Sequence, residues 1–206
     1  MAQMKQTLIS VAIDLFFQKG YFATSMSDIA KGCGIRKASI YHHFSGKEDL
    51  LFGIMATTMA DLTAALHEDL HPAVGVEQRM RAAVRSHLSF HLKRQKETFI
   101  ASSELRGLSQ ANLARIIALR DQYEAVFQEL IASGICEGLF GPGDIKILSY
   151  AVLTLCTAGA TWYRPDGRLP AAAIVEMYEN FIFNGLRKGQ LATNRPAELV
   201  CEPWPV

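Results

Sequence analysis

Apolar residues recur along this chain at helical spacing, and no stretch gives a convincing period of two. Leu8, Ala12, Leu15 and Phe16 keep the i, i+4, i+7, i+8 rhythm that lays one apolar stripe along a helix, here over residues 3–19. Gly20 ends that helix, and Tyr21 and Phe22 are expected to pack beneath the next two helices. Ser25 and Asp28 stand three apart as a capping box, so a helix is expected to open near Met26 with Ile29 and Ala30 facing inward. Gly32 and Gly34 stop it, and Ile35 plugs the turn. A short helix is expected from Lys37 to His43. Ser45 and Glu48 form a second capping box, opening a helix through Leu50, Leu51, Ile54, Met55 and Met59 to about His67 or Leu70. His71-Pro72 breaks it, and Gly75 extends the break.

Beyond the break, residues 76–95 carry Met80, Val84, His87, Leu88 and His91 on one side of a helix. A short helical piece is expected at 98–105, then a long charge-laced helix at 108–135. Gly138, Gly141, Pro142 and Gly143 interrupt the pattern. Residues 144–162 are the most hydrophobic helix, and Arg164-Pro165-Asp166-Gly167 has the composition of a turn. The last helix, 171–187, spaces Ile174, Tyr178, Phe181, Ile182 and Gly185 helically. The fold class is therefore all-α. The expected domains are 1–50, 51–191 and a loose tail at 192–206, with the boundary inside the helix that starts near Lys47.

Composition narrows the function classes more than the fold. The chain has 206 residues, half of them hydrophobic and a fifth charged, as in an ordinary globular protein. Net charge is +1, so it is no polycation, and nucleic-acid affinity would need a local face. Residues 1–50 hold six Lys/Arg against four Asp/Glu, a small positive balance. Cys33, Cys136, Cys156 and Cys201 form no CxxC pair, and no signal peptide opens the chain, so a reducing cytoplasm is the expected location. The uncharged run 147–163 is short and carries Ser149, Thr154, Thr157 and Thr161, so a buried helix is expected there and no membrane partner. No nucleophile elbow, phosphate loop or HExxH occurs, so no enzyme, no cofactor and no catalytic residue are expected.

Residues 24–50 read as two short helices joined by a glycine turn and then a long helix, which suits a helix-turn-helix at about 25–44. A reading helix needs small residues at closest approach, cations for phosphate and polar tips for base edges. Lys37, Ala38, Ser39, Tyr41 and His43 supply that mixture, flanked by Arg36 and His42, while Ile40 and Phe44 tie the helix to its core. Ser25 and Ser27 at a helix start, and Lys47 at the next, are expected on phosphate. The same pattern, taken as a bare hairpin, would also suit two helices of a bundle.

Gly20-Tyr21, Thr24-Ser25, Asp28-Ile29-Ala30, Gly34-Ile35, Ile40-Tyr41-His42-His43-Phe44 and Lys47-Glu48-Asp49-Leu50 together resemble the TetR family of one-component bacterial regulators. Arg36 and Ala38 depart from the family's frequent Ser and Gly at those places, which leaves the operator sequence open. The resemblance implies a homodimer on double-stranded operator DNA. It implies an N-terminal three-helix reading head and a C-terminal antiparallel helical domain for ligand binding and dimerisation. Leu155, Gly159, Tyr178, Phe181 and Ile182 on the last two helices are the expected dimer residues, the alternative being plain intramolecular core.

The segment Trp162-Tyr163-Arg164-Pro165-Asp166-Gly167-Arg168-Leu169 is similar to one in TetR-type repressors that answer to acyl-CoA thioesters. Such an effector needs cations for its phosphates and an aromatic face for adenine. Arg164 and Arg168 are expected in the first role, Trp162 or Tyr163 in the second, with His87 and His91 on the cavity wall. Another small apolar effector is one alternative. A metal ion at the i, i+4 pairs His67/His71 or His87/His91 is a further one.

Overall fold

The computed structural model describes residues 2–187, so the tail expected at 192–206 and the end of the expected second domain lie outside the described residues. Among the described residues the chain forms nine α-helices: α1 (Ala2–Lys19), α2 (Met26–Gly32), α3 (Lys37–Ile40), α4 (Lys47–Leu70), α5 (Gly75–Lys93), α6 (Gln95–Ser103), α7 (Gln110–Cys136), α8 (Ile145–Trp162) and α9 (Ala171–Leu186). A 3-10 turn at Leu105–Gly107 and an isolated bridge between Phe140 and Arg187 complete the regular backbone described. The all-α expectation holds. Gly20, Gly75 and Gly138 adopt positive φ, two of them closing helices and Gly75 opening α5, where an L side chain would be strained.

The chain divides into two compact units, and the division differs from the expected boundary at residue 50. Among the described residues, the first unit takes the chain up to 61 together with 94–120; the second takes 62–93 and 121–187. The first unit's core joins Leu8, Phe16, Ile29, Ile40, Phe44, Leu51 and Ile54 to Ile100 and Ile116 from the later segment. That segment also makes polar ties to the helices before it. Lys96 reaches Asp14 at 2.6 Å, Tyr21 N–H donates to Glu104 Oε1 at 3.2 Å, and Phe99 packs edge-on against Phe17. Gly107 lies so close that a Cβ would sit 2.6 Å from the Tyr21 ring.

In the second unit α5 packs against α8 and α9. Met80, Val84, Leu88 and Leu92 of α5 are buried, as are Val152, Cys156 and Ala160 of α8 and Ile174, Val175, Ile182 and Phe183 of α9. Glu179 of α9, itself buried, takes Arg81 at 3.2 Å and Arg85 at 2.9 Å from α5. By length and composition alone α4 and α8 are apolar enough to cross a bilayer, contrary to the expectation for 147–163. In the fold, α4 buries Leu50, Leu51, Ile54 and Met55 in the first core, and α8 buries Val152, Cys156 and Gly159 in its own unit.

Candidate nucleic-acid interface and effector cleft

The capping box at α2 forms as its spacing predicts. Ser25 Oγ accepts from Asp28 N–H at 3.1 Å, and Ser25 N–H donates to Asp28 Oδ2 at 2.8 Å. Ser25 Oγ–H also donates to that carboxylate at 2.6 Å, so this hydroxyl's hydrogen is already used within the cap. These bonds, the side-chain one first, hold the Asp28 carboxyl below its ordinary range. Gly32 admits α1: a Cβ there would sit 2.6 Å from Val11 Cγ1. Gly34 turns the chain at φ 67°, and Ile35 N–H closes back on Ala30 O at 3.0 Å.

The reading helix is shorter than expected. α3 holds only Lys37–Ile40, and the chain then continues as a turn in which His43 and Phe44 N–H both donate to Ile40 O. Arg36 stands at the cap position with no side-chain cap bond, so the helix lacks the hydroxyl that would anchor its start. Ile40 and Phe44 are buried in the core, as the sequence predicts. Arg36, Lys37, Ala38, Tyr41 and His42 are exposed, and Ser39 and His43 are half-buried. Ser27, on the first turn of α2, is exposed.

Lys5 joins this surface without having been expected there. It is an exposed α1 cation whose Nζ lies 5.5 Å from the Phe44 ring centroid, beside the end of the reading turn. Nothing local in its sequence marks it, because the fold brings it there.

Two expectations around α4 are corrected. Glu48 makes no bond to Ser45; Asp49 takes its place, accepting from Ser45 N–H at 2.8 Å and Oγ–H at 3.1 Å. Glu48 instead accepts from Ser109 N–H at 2.7 Å and Asn112 Nδ2–H at 2.9 Å, which holds its carboxyl below the ordinary range. Lys47, expected on phosphate, turns inward: its ammonium donates to Tyr21 O at 2.9 Å and Thr24 O at 2.8 Å.

In the second unit the Arg164–Gly167 turn closes through Gly167 N–H to Arg164 O at 2.9 Å. It shapes an open cleft of about 360 Å³ lined by Trp162, Tyr163, Arg164, Arg168, Met177 and Tyr178, among others. Trp162 and Tyr178 face each other with ring centroids 6.3 Å apart, and burial raises the Tyr178 phenol. The expected aromatic and cationic residues therefore do gather.

His87 and His91 do not join them. They are buried in the core, which corrects their expected place on that wall. His87 Nδ1 lies 2.9 Å from Tyr123 Oη and Nε2 3.1 Å from Thr157 Oγ1, with the His91 ring edge-on at 4.4 Å. Burial first, and the neighbouring His91 second, lower the His87 pKa well below the ordinary imidazole value; burial lowers His91 to about 4. His67 and His71 are exposed, and among the described residues no three metal-capable side chains gather.

The expected dimer residues separate into two groups. Phe181 is 70% exposed, and on the same two helices Met177, Ile147, Trp162 and Tyr150 are exposed with it; Leu155 and Tyr178 are half-buried. Gly159 and Ile182 are corrected to intramolecular core. A Cβ on Gly159 would lie 3.0 Å from Leu88 of α5, and Ile182 is buried in the same unit.

Residues 8–54 match the tetR family of bacterial regulatory proteins, and residues 73–186 match the tetracyclin repressor-like C-terminal domain. The HTH-type transcriptional repressor KstR2 of Mycobacterium tuberculosis is 25% identical over 183 residues, 88% of this chain and 92% of the relative. The TetR-family regulator PfmR of Thermus thermophilus superposes with a TM-score of 0.80 at 30% identity, over 88% of this chain and 99% of its own. AibR, solved with isovaleryl coenzyme A and operator DNA, superposes at 0.81 with 28% identity, over 87% of this chain and 98% of its own. With matches to the reading head and to more than half of its length in the C-terminal region, the chain belongs to the tetR family of bacterial regulatory proteins, DNA-binding transcriptional regulators and not enzymes.

Proposed function

We propose that the chain is a cytoplasmic repressor that grips operator DNA as a homodimer and releases it when an acyl-CoA thioester binds. The observation that carries the effector class is the likeness to AibR, which was solved with both isovaleryl coenzyme A and operator DNA. The cleft supports it chemically. Arg164 and Arg168 offer guanidinium forks for phosphate, and the Trp162–Tyr178 pair offers a face for a planar ring. For DNA, Lys37 and Ala38 on α3 and Arg36 and Tyr41 at its two ends are all exposed, which supports a surface of cations and polar tips for phosphate and base edges. For the dimer, Phe181 and Met177 present apolar surface that a second copy would bury, placing two heads on half-sites.

Differential affinity drives the release. An effector that binds best when the heads stand at the wrong spacing draws the population away from the DNA-competent form. α4 and α7 each contribute residues to both units, so a displacement of either helix has a covalent route to the head.

The test is fluorescence anisotropy on the chain's own upstream DNA with isovaleryl-CoA, free CoA and isovalerate added separately. Release by the thioester alone is expected. Release by isovalerate alone assigns a small apolar effector instead, and release by none overturns the ligand-responsive reading. Sedimentation of wild type against Phe181→Asp tests the dimer, with loss of the dimer and of operator binding expected together.

A further inference from the structure

We propose that Lys47 is a positioning residue of the reading head, an internal cation that sets where α2 begins and makes no contact with DNA. The proposal rests on the DNA-binding reading of the head. The Lys47 ammonium sits inside the bend between α1 and α2. It donates to Tyr21 O at 2.9 Å and Thr24 O at 2.8 Å, with Phe22 O at 3.5 Å, and lies 4.3 Å from the Tyr21 ring centroid. An ammonium has three N–H donors, and three carbonyls converge on this one. An aromatic face covers it as well. A phosphate oxygen would have to displace one of these partners.

The bend gives this cation a structural task. Residues 21–24 belong to no helix, so apart from Tyr21 O, which accepts from Thr24 N–H at 3.2 Å, their carbonyls are outside the ladder that a helix interior supplies. Every neighbouring group is already committed. Thr24, buried, donates its hydroxyl to Gly20 O at 2.9 Å, which closes α1. Tyr21 N–H is held by Glu104, and Ser25 is engaged in the cap of α2. Lys47 is thus the link from the first turn of α4 to the residue just before that cap. Removing its charge takes the donor from Thr24 O, leaves Tyr21 O with Thr24 N–H at 3.2 Å, and lets the start of α2 shift against α4, carrying the short reading helix with it.

Salt dependence separates this role from a phosphate contact. Each phosphate neutralised contributes about −0.9 to the slope of log Kobs against log salt. Operator affinity of Lys47→Met is expected to fall about tenfold with an unchanged slope. Lys37→Met, which removes an exposed cation, is expected to flatten the slope by about 0.9 for each head bound. Lys47→Arg is expected not to restore affinity, because a planar fork does not fit a pocket of converging carbonyls under a ring, whereas phosphate accepts Arg readily. A flattened slope in Lys47→Met, or full rescue by Arg, overturns the proposal.

Wild type failing to bind operator in a salt-dependent manner would instead sink the DNA-binding reading. Should Lys47→Met not fold, ¹⁵N-lysine spectra of the wild type decide the matter. The Lys47 ammonium is expected as a protected signal in the free protein that does not move when operator is added. A signal that appears only with DNA overturns the proposal.

Discussion

At Gly134 a single missing methyl decides the packing of a helix end: a Cβ there would overlap the Cδ2–Cε2 edge of the Phe140 ring. Phe140 is fully buried and stacks edge-on with Phe183 at 5.6 Å, so its ring has nowhere to retreat. Alanine favours a helix by about 1 kcal/mol over glycine, but overpacking costs about 1–3 kcal/mol. Gly134→Ala is expected to be destabilising by about 1 kcal/mol in urea unfolding; a stabilised variant would show that the ring swings aside. Ser25→Ala removes the hydroxyl of the α2 cap and is expected to cost about 1 kcal/mol, read by the same unfolding curve. That cap was legible from sequence because both partners lie three residues apart. Glu48 and Lys47 were misread for the opposite reason. Glu48 takes partners 61 and 64 residues on, and Lys47 reaches back 23 and 26 residues, distances that no local pattern encodes.

Between residues and units, the helices keep closely to their hydrophobic rhythm, since a stripe at helical spacing depends only on neighbours. The exception is α3, expected to reach His43 and ending at Ile40. With Ile40 and Phe44 both buried, the chain between them tightens into a turn and leaves Tyr41 and His42 exposed. The membership of residues 94–120 in the first unit was likewise illegible, because Ile100 and Ile116 look like any apolar helix residue until their partners are known. On α8 and α9 the pattern marked apolar positions but not which face each served. Gly159 went to Leu88, while Phe181 stayed outside. The α5–α9 contact carries its own prediction. Glu179 is 10% exposed at its side chain and holds both Arg81 and Arg85, and Arg81 also stacks on Phe183 at 4.1 Å. Glu179→Gln keeps the shape but removes the charge, leaving two cations facing a neutral amide. A loss of about 2 kcal/mol is expected in urea, and Arg85→Gln, whose own side chain is 60% exposed, is expected to cost far less.

For the whole molecule, acid is the condition in which these buried groups act together. His87 and His91 are neutral in the fold, held there by burial, whereas in the unfolded chain each takes up a proton near its ordinary 6.5. Above that value neither state is protonated and the pair contributes no pH dependence. Between about 6.5 and about 4 the unfolded chain binds more protons than the fold, so stability falls as pH falls, by about 1.4 kcal/mol per unit for each histidine. Asp28 and Glu48 act lower down: their depressed carboxyls keep their contribution until the pH drops below the ordinary carboxylate range. Burial pushes the Cys156 thiol up to about 12 and raises Tyr123, so both stay neutral where the histidines titrate and bring losses only at alkaline pH. Urea unfolding at pH 7.5, 6 and 5 is therefore expected to show a small loss of stability from 7.5 to 6 and a steeper one from 6 to 5, before the carboxylates dominate. His91→Leu is expected to shallow that slope by about half, since it removes one of the two groups and spares the Tyr123 and Thr157 partners of the other. Equal stability at pH 7.5 and pH 5 in the wild type would mean that neither imidazole is held neutral by its burial in the second unit.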